Sequence, residues 1–350
     1  MNTTDAARDR LWDAVLDGDE YAAVATVFEA VDAGVTPEDA LLDVVAPVQR
    51  KVGTEWAADR LTVAQEHAAT AINDRVIAAL SQHPAARTAA HAGRVTVACV
   101  DGEWHALPAR LLGEVLRLRG WRVDFLGAQV PTPHLIAHLH QYAPDAVALS
   151  CSIPTRLPAA HAAISACQAA GVSVLVGGAA FGPDGRYARL LGADAWAPDA
   201  RAAAQRLNEG VARLRLTANP PSADLPHLAD QEYSMVSGAK AQLVTSTVAE
   251  LEHSFPAMRD YSEAQREHTA ADIAHILDFL ATALYVDDDE LFTTFIAWTA
   301  EVLDARGVPA ASLTPALELL SAQLQDFPRT QRMLAAARSA LSAQTTRPNA

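Results

Sequence analysis

Residues 94–127 read RVTVACVDGEWHALPARLLGEVLRLRGWRVDFLG, a short β-rich run, an amphipathic helical stretch and a second β-rich run. Strands that alternate with helices predict a parallel sheet built from βαβ units. We expect the helix to begin at Pro108 and to end at Gly120. A single histidine, His105, lies where the chain leaves the first strand, and its role is the question that this stretch raises.

Three further β-rich runs continue the alternation: AVALSCS (146–152), VSVLVGG (172–178) and ADAWAP (193–198). Five strands of this size predict an α/β domain over residues 93–215 with the flavodoxin-like (Rossmann-type) strand order, in which ligands bind beyond the carboxyl ends of the strands. The position of His105 alone leaves a base, a metal ligand and an ordinary surface residue open. Neither a G-x-G-x-x-G loop nor a Walker lysine is present, which argues against a nucleotide-binding loop.

Helical patterns flank this domain on both sides. In residues 1–82, apolar positions recur at helical spacing over four stretches, which predicts a four-helix bundle. The linker SQHPAARTAAHAG (81–93) follows. After the Pro-rich break LTANPPSADLP (216–226), at least four more helical stretches predict an all-α domain over residues 226–345.

Composition limits the partners and the compartment. The 350 residues carry a net charge of −15, which argues against nucleic acid and anionic membrane surfaces, since both require clustered Lys and Arg. The three cysteines lack metal-site spacing and suggest no disulfide framework, so we expect a reducing cytoplasm. We expect neither a signal peptide nor a membrane span, because no apolar run approaches about 20 residues.

The loop GEWHALP (102–108) resembles the D-x-H-x-x-G signature of cobalamin-binding domains, with Glu103, His105 and Pro108 at the marked positions. The resemblance implies that His105 is the lower axial ligand of cobalt in place of the cofactor's own benzimidazole, whose nucleotide tail enters the sheet domain. Neutral imidazole is a good cobalt ligand, and an acceptor on its other nitrogen fixes the tautomer. We expect Glu103 to be that acceptor, with Asp101 as the reserve.

Two later runs extend the resemblance. Ser150 stands where the family has S-x-L, with Ser152 in place of the Leu. Gly177 and Gly178 supply the GG pair, where the missing Cβ atoms let the tail lie against the backbone. Pro108 replaces the family's Gly and is acceptable in the first turn of a helix. The three motifs in this order within one α/β domain are far more specific than any one of them.

The N-terminal stretch VGTEWAADRLTVAQEHAAT (52–70) resembles the W-x9-E-H stretch of cobalamin-dependent light sensors. The resemblance implies that Trp56 covers a 5′-deoxyadenosyl group on the upper face of the cofactor and that Glu66 binds this nucleoside. It also implies that His67 can reach cobalt after light breaks the Co–C bond. The Gly that is usual after the Trp is Asp59 here. The alternative from the residues alone is a core Trp and a solvated Glu-His pair.

One C-terminal helical stretch carries His268, Asp272, His275 and Phe279 on a single stripe beside a stripe of apolar core residues. This pattern is compatible with an ordinary solvated face. It is also compatible with a metal site at the two histidines and the aspartate. A third possibility is the wall of a pocket for a large conjugated ligand, in which a carboxylate and an imidazole meet pyrrole nitrogens.

The whole arrangement resembles the photocobilins, photoreceptors that pair adenosylcobalamin with the bilin biliverdin in a globin- or phycocyanin-like helical domain. The stretch DIAHILDFLATAL…ELFTTFIAWTAEVLDARGV (272–308) carries the C-terminal part of this resemblance. No cysteine follows Cys167, so biliverdin would be held non-covalently. The candidate bilin contacts are Arg259, Arg266, Asp272, His275, Tyr285 and Trp298. A helical dimerisation or partner domain remains the alternative.

These resemblances imply a light sensor without enzymatic activity. Photolysis would change its conformation and its homo-oligomeric state, and the signal would pass through assembly or an unknown protein partner. The alternative is a corrinoid protein that carries methyl groups for a cobalamin-dependent methyltransferase. A mutase-like enzyme is set aside, because its substrate barrel of about 250 residues would not fit.

Overall fold

The computed structural model of the protein describes residues 3–210, 225–254, 258 and 261–345. The chain divides into two compact units, Met1–Ala223 and Asp224–Ala350. The division falls within the predicted Pro-rich break, most of which lies outside the described residues. The domain boundaries 1–82, 93–215 and 226–345 stay predictions.

The first unit begins with helices, as the apolar spacing predicts. They are α1 (Thr3–Leu16), α2 (Glu20–Asp32), α3 (Ala46–Ala57) and α4 (Val63–Leu80). A π-helical stretch, Ala40–Val45, leads into α3, and a capping box between Thr62 and Gln65 starts α4. Asp59, between α3 and α4, has a φ of 57°, a left-handed conformation that Asp adopts more readily than most residues. The four-helix-bundle classification stays a prediction.

A five-stranded parallel sheet follows, with the strand order β2-β1-β3-β4-β5, so the predicted flavodoxin-like order is confirmed. Its strands are β1 (Gly93–Cys99), β2 (Trp121–Gly127), β3 (Ala146–Ser150), β4 (Ser173–Gly177) and β5 (Ala195–Ala197). The register places Ser150 beside Gly177, and Gly177 beside Ala197. The carboxyl ends of β3, β4 and β5 therefore meet at one edge of the sheet.

The helices between the strands are α5 (Ala106–Leu118), α6 (Thr132–Tyr142), α7 (Leu157–Ala169), α8 (Arg186–Leu190) and α9 (Ala200–Asn208). The prediction that α5 begins at Pro108 was wrong, since it begins at Ala106 and Pro108 is its third residue. A proline is accepted there because the first N–H groups of a helix have no partner within the helix. His105 is therefore the residue immediately before the helix.

The N-terminal helices and the sheet share one apolar core. Leu11, Val27 and Ile77 from the helices belong to the same buried cluster as Val97 and Leu116 from the sheet domain. Burial of one such side chain stabilises the fold by about 1.5–3 kcal/mol. This shared core explains why residues 3–210 form one compact unit.

The second unit is helical, as the sequence predicts, and its described residues form six α-helices, which agrees with the prediction of at least four. Its helices are α10 (Glu232–Gly238), α11 (Lys240–Ser254), α12 (Glu263–Val286), α13 (Asp289–Ala305), α14 (Leu313–Gln323) and α15 (Pro328–Thr345). Buried Glu232 accepts hydrogen bonds from the backbone N–H groups of Arg329 and Thr330, which ties α10 to the start of α15. The globin- or phycocyanin-like classification stays a prediction.

Among the described residues, one helix has the length and hydropathy of a membrane span. In α12 an 18-residue window has a mean hydropathy of 1.3, so the expectation that no segment approaches this length was too strict. Half of that window is buried inside the protein, and the core helix of a soluble protein passes the same test. The helix is weak evidence for a span.

Candidate functional site

The loop between β1 and α5 joins His105 to Glu103. His105 Nδ1 lies 2.6 Å from Glu103 Oε1, which also accepts a hydrogen bond from the backbone N–H of His105 at 2.9 Å. The second oxygen, Oε2, accepts from the backbone N–H groups of Ser152 at 2.7 Å and Ile153 at 3.0 Å. The carboxylate thus connects the loop after β1 with the loop after β3, and it leaves Nε2 as the ring nitrogen that points away from Glu103.

The electrostatics of this pair keep the carboxylate charged. Burial alone would raise the pKa of Glu103, of which 1% is exposed. The hydrogen bonds from the His105 ring and from the backbone N–H groups of His105, Ile153 and Ser152 outweigh burial and lower the pKa of Glu103 to about 2. The hydrogen bond to Glu103 raises the pKa of His105, with a smaller contribution from the charge of Glu66. Asp101, the reserve acceptor, is exposed.

A cavity of about 1000 Å³ lies in front of His105, between the N-terminal helices and the carboxyl ends of the strands. His105 has a half-exposed side chain, 57% of which is accessible, and it forms part of the cavity wall together with Ser152 and Pro108. Glu66 and His67 line the opposite wall. The structure therefore brings Glu66 and His67 to the same cavity as His105.

The three residues predicted for the upper face differ in exposure and position. Glu66 is half-buried and accepts a hydrogen bond from Thr70 Oγ1 at 2.8 Å. The side chain of His67 is 74% exposed, and its Nδ1 lies 2.9 Å from Val63 O and 2.8 Å from Glu66 Oε2. Trp56 is half-buried against the apolar core, and the structure does not place it among the residues that line the cavity.

A second, smaller cavity of about 130 Å³ lies over the carboxyl ends of β3, β4 and β5. Ser150, Gly177, Gly178 and Ala197 line it, as the motif resemblance implies for the first three. A Cβ atom on Gly177 would lie 3.3 Å from Ala197 O, so this glycine keeps the floor of the cavity open. Gly178 is needed for the backbone conformation, because its φ is 106° and a Cβ atom would overlap the backbone of Cys151.

Several residues that line the large cavity were not predicted from the sequence. Trp104 lines it and is 70% exposed, an unusual degree for a large aromatic side chain. Arg201 lines it from α9 and contacts Asp39 and Asp43 at 2.8 and 2.6 Å, across more than 150 residues of sequence. Gln49 lines it and donates a hydrogen bond to Thr70. The rule that ligands bind beyond the carboxyl ends of strands applies to Arg201, which follows β5.

In the second unit, the predicted polar stripe is exposed. His268, Asp272 and His275 all have exposed side chains, and partial desolvation raises the pKa of Asp272 against the attraction of both histidines. Phe279 is half-buried and stacks on Phe295 with the ring centroids 3.6 Å apart. Across the described residues, no group of three His, Cys, Asp or Glu side chains could hold a metal ion, which leaves the metal-site reading of this stripe without support.

The remaining candidate bilin contacts lie in different surroundings. Tyr285 packs edge-on against Tyr233 with a centroid distance of 4.9 Å, and Trp298 lies 6.3 Å from Phe295. Arg266 forms an ion pair with Glu252 at 3.2 Å. Arg259 lies outside the described residues.

Comparison with known families identifies the first unit. Residues 93–207 match the family model described as "B12 binding domain", and residues 7–81 match a second family model with the same description. The first unit carries B12-binding domains. The B12-binding unit therefore combines the sheet domain with the N-terminal helices, and its two matched segments supply the opposite walls of the large cavity.

The chain is similar to proteins of Myxococcus xanthus and Methanosarcina barkeri. The chain is 37% identical over 183 residues to the HTH-type transcriptional repressor CarA of Myxococcus xanthus (49% of this chain, 57% of CarA). It is 38% identical over 130 residues to the repressor CarH of the same organism (36% of this chain, 42% of CarH). The chain thus spans about half the length of these curated relatives. It is 24% identical over 214 residues to the trimethylamine corrinoid protein of Methanosarcina barkeri (59% and 94%).

Among solved structures, the monomethylamine corrinoid protein of Methanosarcina barkeri aligns with a TM-score of 0.51 at 19% identity. The alignment covers 59% of this chain and 98% of that protein. At this identity the likeness concerns the fold alone, and it supports a Rossmann-like fold for the sheet domain of the first unit.

Proposed function

We propose that the protein is a light sensor that binds adenosylcobalamin with His105 as the lower ligand of cobalt. The observation that carries the proposal is the His105–Glu103 pair at the wall of the large cavity. A charged acceptor on Nδ1 keeps the proton on that nitrogen and leaves the lone pair of Nε2 available for a metal, as in metal sites with a carboxylate–histidine pair.

The residues present fit a corrinoid whose nucleotide tail is detached from cobalt. The small cavity at Ser150 and Gly177 lies beyond the strand ends, where its glycine leaves the space that a side chain would fill. We assign the tail to this cavity and the corrin ring to the large cavity. Hydrogen-bond donors and acceptors on the wall of the large cavity, from Gln49, Ser152 and Arg201, suit the amide groups that surround a corrin ring.

On the upper face, we assign Glu66 to the nucleoside and His67 to the cobalt after illumination. When bound, adenosylcobalamin supplies a Co–C bond that light can break. Glu66 accepts a hydrogen bond from Thr70, whereas His67 is exposed and contacts its own helix through Nδ1 rather than Nε2. Trp56 is assigned to the same face by the W-x9-E-H resemblance alone, since it does not line the cavity.

A regulatory role is favoured over methyl transfer by the comparisons. CarA and CarH are named as transcriptional repressors, and their identities of 37% and 38% exceed the 24% of the trimethylamine corrinoid protein. The fold similarity to corrinoid proteins is what keeps the methyl carrier as the second candidate. We propose that the protein acts without catalysis, through a light-dependent change of conformation and homo-oligomeric state that an unknown partner reads.

For the second unit we retain non-covalent biliverdin as the proposed ligand, with residues 226–345 as the domain that holds it. The supporting features are the exposed Asp272 and His275 and the aromatic side chains of Tyr285 and Trp298. The free state of all three cysteines supports a cytoplasmic location, because such thiols persist in reducing compartments.

The test is an absorption spectrum of the full chain loaded with adenosylcobalamin, taken before and after green light. The alkyl-cobalt spectrum should disappear within minutes of illumination. His105→Ala should weaken binding and remove the protein-derived nitrogen ligand from the spin-resonance spectrum of the reduced cofactor. His140→Ala, an exposed histidine of α6, is the matched control and should behave as wild type.

Two results would overturn the proposal. The first is a His105→Ala protein with the wild-type affinity and spectrum. The second is a chain that prefers methylcobalamin and exchanges its methyl group with a methyltransferase, which would establish the carrier. Co-expression with a source of biliverdin tests the second unit separately, since a bound bilin should absorb red light.

A further inference from the structure

We propose that the first unit has a second ligand site, which binds small organic anions and which no cobalamin motif includes. A cavity of about 760 Å³ lies beside the start of β2, between the end of α4, the linker that follows it and α5. This volume falls within the range of about 300–1,000 Å³ that is typical of small-molecule sites. Among the described residues, it shares no lining side chain with the cavity in front of His105.

The cavity is strongly cationic. Four arginines line it, Arg87, Arg110, Arg117 and Arg122, and the carboxylate that lines it is Glu114. Three positive charges therefore remain uncompensated at this cavity in a chain whose net charge is −15. Such a local field attracts anions and repels the acidic surface that dominates the rest of the protein.

Two of the four arginines, Arg110 and Arg117, contact Glu114, and the other two have no polar partner within the described residues. Glu114 is buried and contacts Arg117 Nη1 at 2.6 Å and Arg110 Nε at 3.3 Å. Arg110 Nε is buried and pairs with Glu114 by charge, without the geometry of a hydrogen bond. Within the same described residues, the guanidinium groups of exposed Arg87 and Arg122 have neither a hydrogen-bond nor an ion-pair partner. These groups are therefore available to a ligand.

The rest of the wall indicates what such a ligand looks like. Leu41, Ile77, Leu80 and Leu118 give the cavity an apolar side, next to the buried ring of Trp121. A guanidinium group binds phosphate or carboxylate through two parallel hydrogen bonds, whereas an inorganic ion would leave the apolar side uncovered. We infer a ligand with at least two negative charges on an apolar or aromatic body.

The linker that forms one wall is held in place. It makes a 3₁₀ turn at Pro84–Ala86, and the backbone N–H groups of His91 and Ala92 donate to Gly120 O at 2.8 and 3.0 Å. Arg87 lies between these two anchors. The backbone of this wall is therefore held in place, so a ligand has to order the arginine side chains but not this part of the linker.

The experiment is calorimetric titration of the full chain at low salt with three probes. Adenosine diphosphate carries phosphates on an aromatic body, 2,6-naphthalenedicarboxylate carries carboxylates, and adenosine carries no charge. We expect one or both anions to bind with a dissociation constant below 1 mM, and adenosine to bind at least tenfold more weakly. The anion that binds more tightly identifies the acidic group of the ligand.

Two variants locate the binding. The double variant Arg87→Gln/Arg122→Gln should weaken anion binding by about tenfold or more, since each charge-assisted hydrogen bond contributes that much. Arg206→Gln, an exposed arginine of α9 outside the cavity, should change it by less than twofold. Thermal unfolding and affinity for adenosylcobalamin should stay at wild-type values in both variants, because the substituted residues are exposed and line neither cobalamin cavity.

The proposal is overturned if neither anion binds, if adenosine binds as tightly as the anions, or if the double variant binds them as well as wild type does. The last result would place the anions elsewhere, including the cavity in front of His105. Failure of the cobalamin experiments would leave this result untouched, since the titration does not depend on the cofactor.

Discussion

Glu103→Gln should destabilise the first unit, because each carboxylate oxygen of Glu103 accepts two hydrogen bonds. One oxygen accepts from the ring and the backbone N–H of His105, and the other accepts from the backbone N–H groups of Ser152 and Ile153. Glutamine keeps the shape of the side chain but has one acceptor oxygen. Its NH₂ group would therefore face two N–H donors whichever way the amide is turned.

The magnitude follows from the pKa of Glu103, which burial would raise but which the hydrogen bonds lower from 4.5 to about 2. This difference corresponds to about 3 kcal/mol of folded-state stability at neutral pH. Since the folded pKa is depressed, the contribution is complete above pH 4.5 and is lost as the pH falls toward 2, with about half of it gone at pH 3. We expect Glu103→Gln to cost about 2–3 kcal/mol at pH 7.

Urea unfolding followed by tryptophan fluorescence measures this cost, because five of the six tryptophans lie in the first unit. They are Trp12, Trp56, Trp104, Trp121 and Trp196. The matched control is Asp101→Asn, which removes an exposed carboxylate of the same loop and should change stability by less than about 0.5 kcal/mol. The difference between wild type and Glu103→Gln should shrink at pH 3.

The same substitution should weaken cobalamin binding by about 10- to 100-fold, as loss of a group that orients a metal ligand does. Equal stability of Glu103→Gln and wild type at pH 7 would show that the four hydrogen bonds contribute no net free energy. A difference that stays constant between pH 7 and pH 3 would show that the charge of this carboxylate is not the cause.

Four further substitutions test single features of the site. Gly178→Ala should lower the free energy of unfolding by about 2–4 kcal/mol, because its Cβ atom would overlap Cys151 at a φ of 106°. Gly177→Ala is the control and should cost less than about 1 kcal/mol, because its Cβ atom would lie 3.3 Å from Ala197 O. Thermal unfolding of both variants measures the difference. Glu66→Ala should reduce the preference for adenosylcobalamin over methylcobalamin in competition binding, with little change in stability. His67→Ala should keep dark affinity within twofold and alter the spectrum after illumination; an unchanged photoproduct would remove His67 from the mechanism.

The strands were the most predictable part of the fold. The run WRVDFLG matches β2 from end to end, and the other four runs differ from the observed strands by at most two residues at either end. The central strands β1, β3 and β4 are mostly buried, so they read as short, largely apolar runs. The edge strand β2 is partly exposed and alternates apolar residues with Arg122 and Asp124. The start of α5 was less predictable, because Pro108 is accepted at several positions of a first helical turn.

In the site too, contacts between residues close in sequence were predictable and contacts between distant residues were not. Glu103 and His105 are two residues apart, so a local motif was sufficient to place their side chains together. The donors that hold the other oxygen of Glu103 come from about 50 residues away, and Arg201 reaches Asp43 across 158 residues. Such contacts depend on strand order and helix packing, which cannot be predicted from the spacing of residues in a short motif.

The difference between the two faces of the large cavity follows from this distinction. The His105–Glu103 contact of the lower face lies within one loop, so a seven-residue motif was sufficient to predict it. The upper face is presented by α4, and its position relative to His105 depends on the apolar core that the N-terminal helices share with the sheet domain. Glu66 reaches the cavity because it begins the face of α4 that continues through Thr70 and Asp74, whereas Trp56 precedes the left-handed turn at Asp59 and packs on the core. Trp56 lies on the same helix as Gln49 and Arg50, which do line the cavity, so the predicted contact of Trp56 with an upper ligand would require its side chain to leave the core.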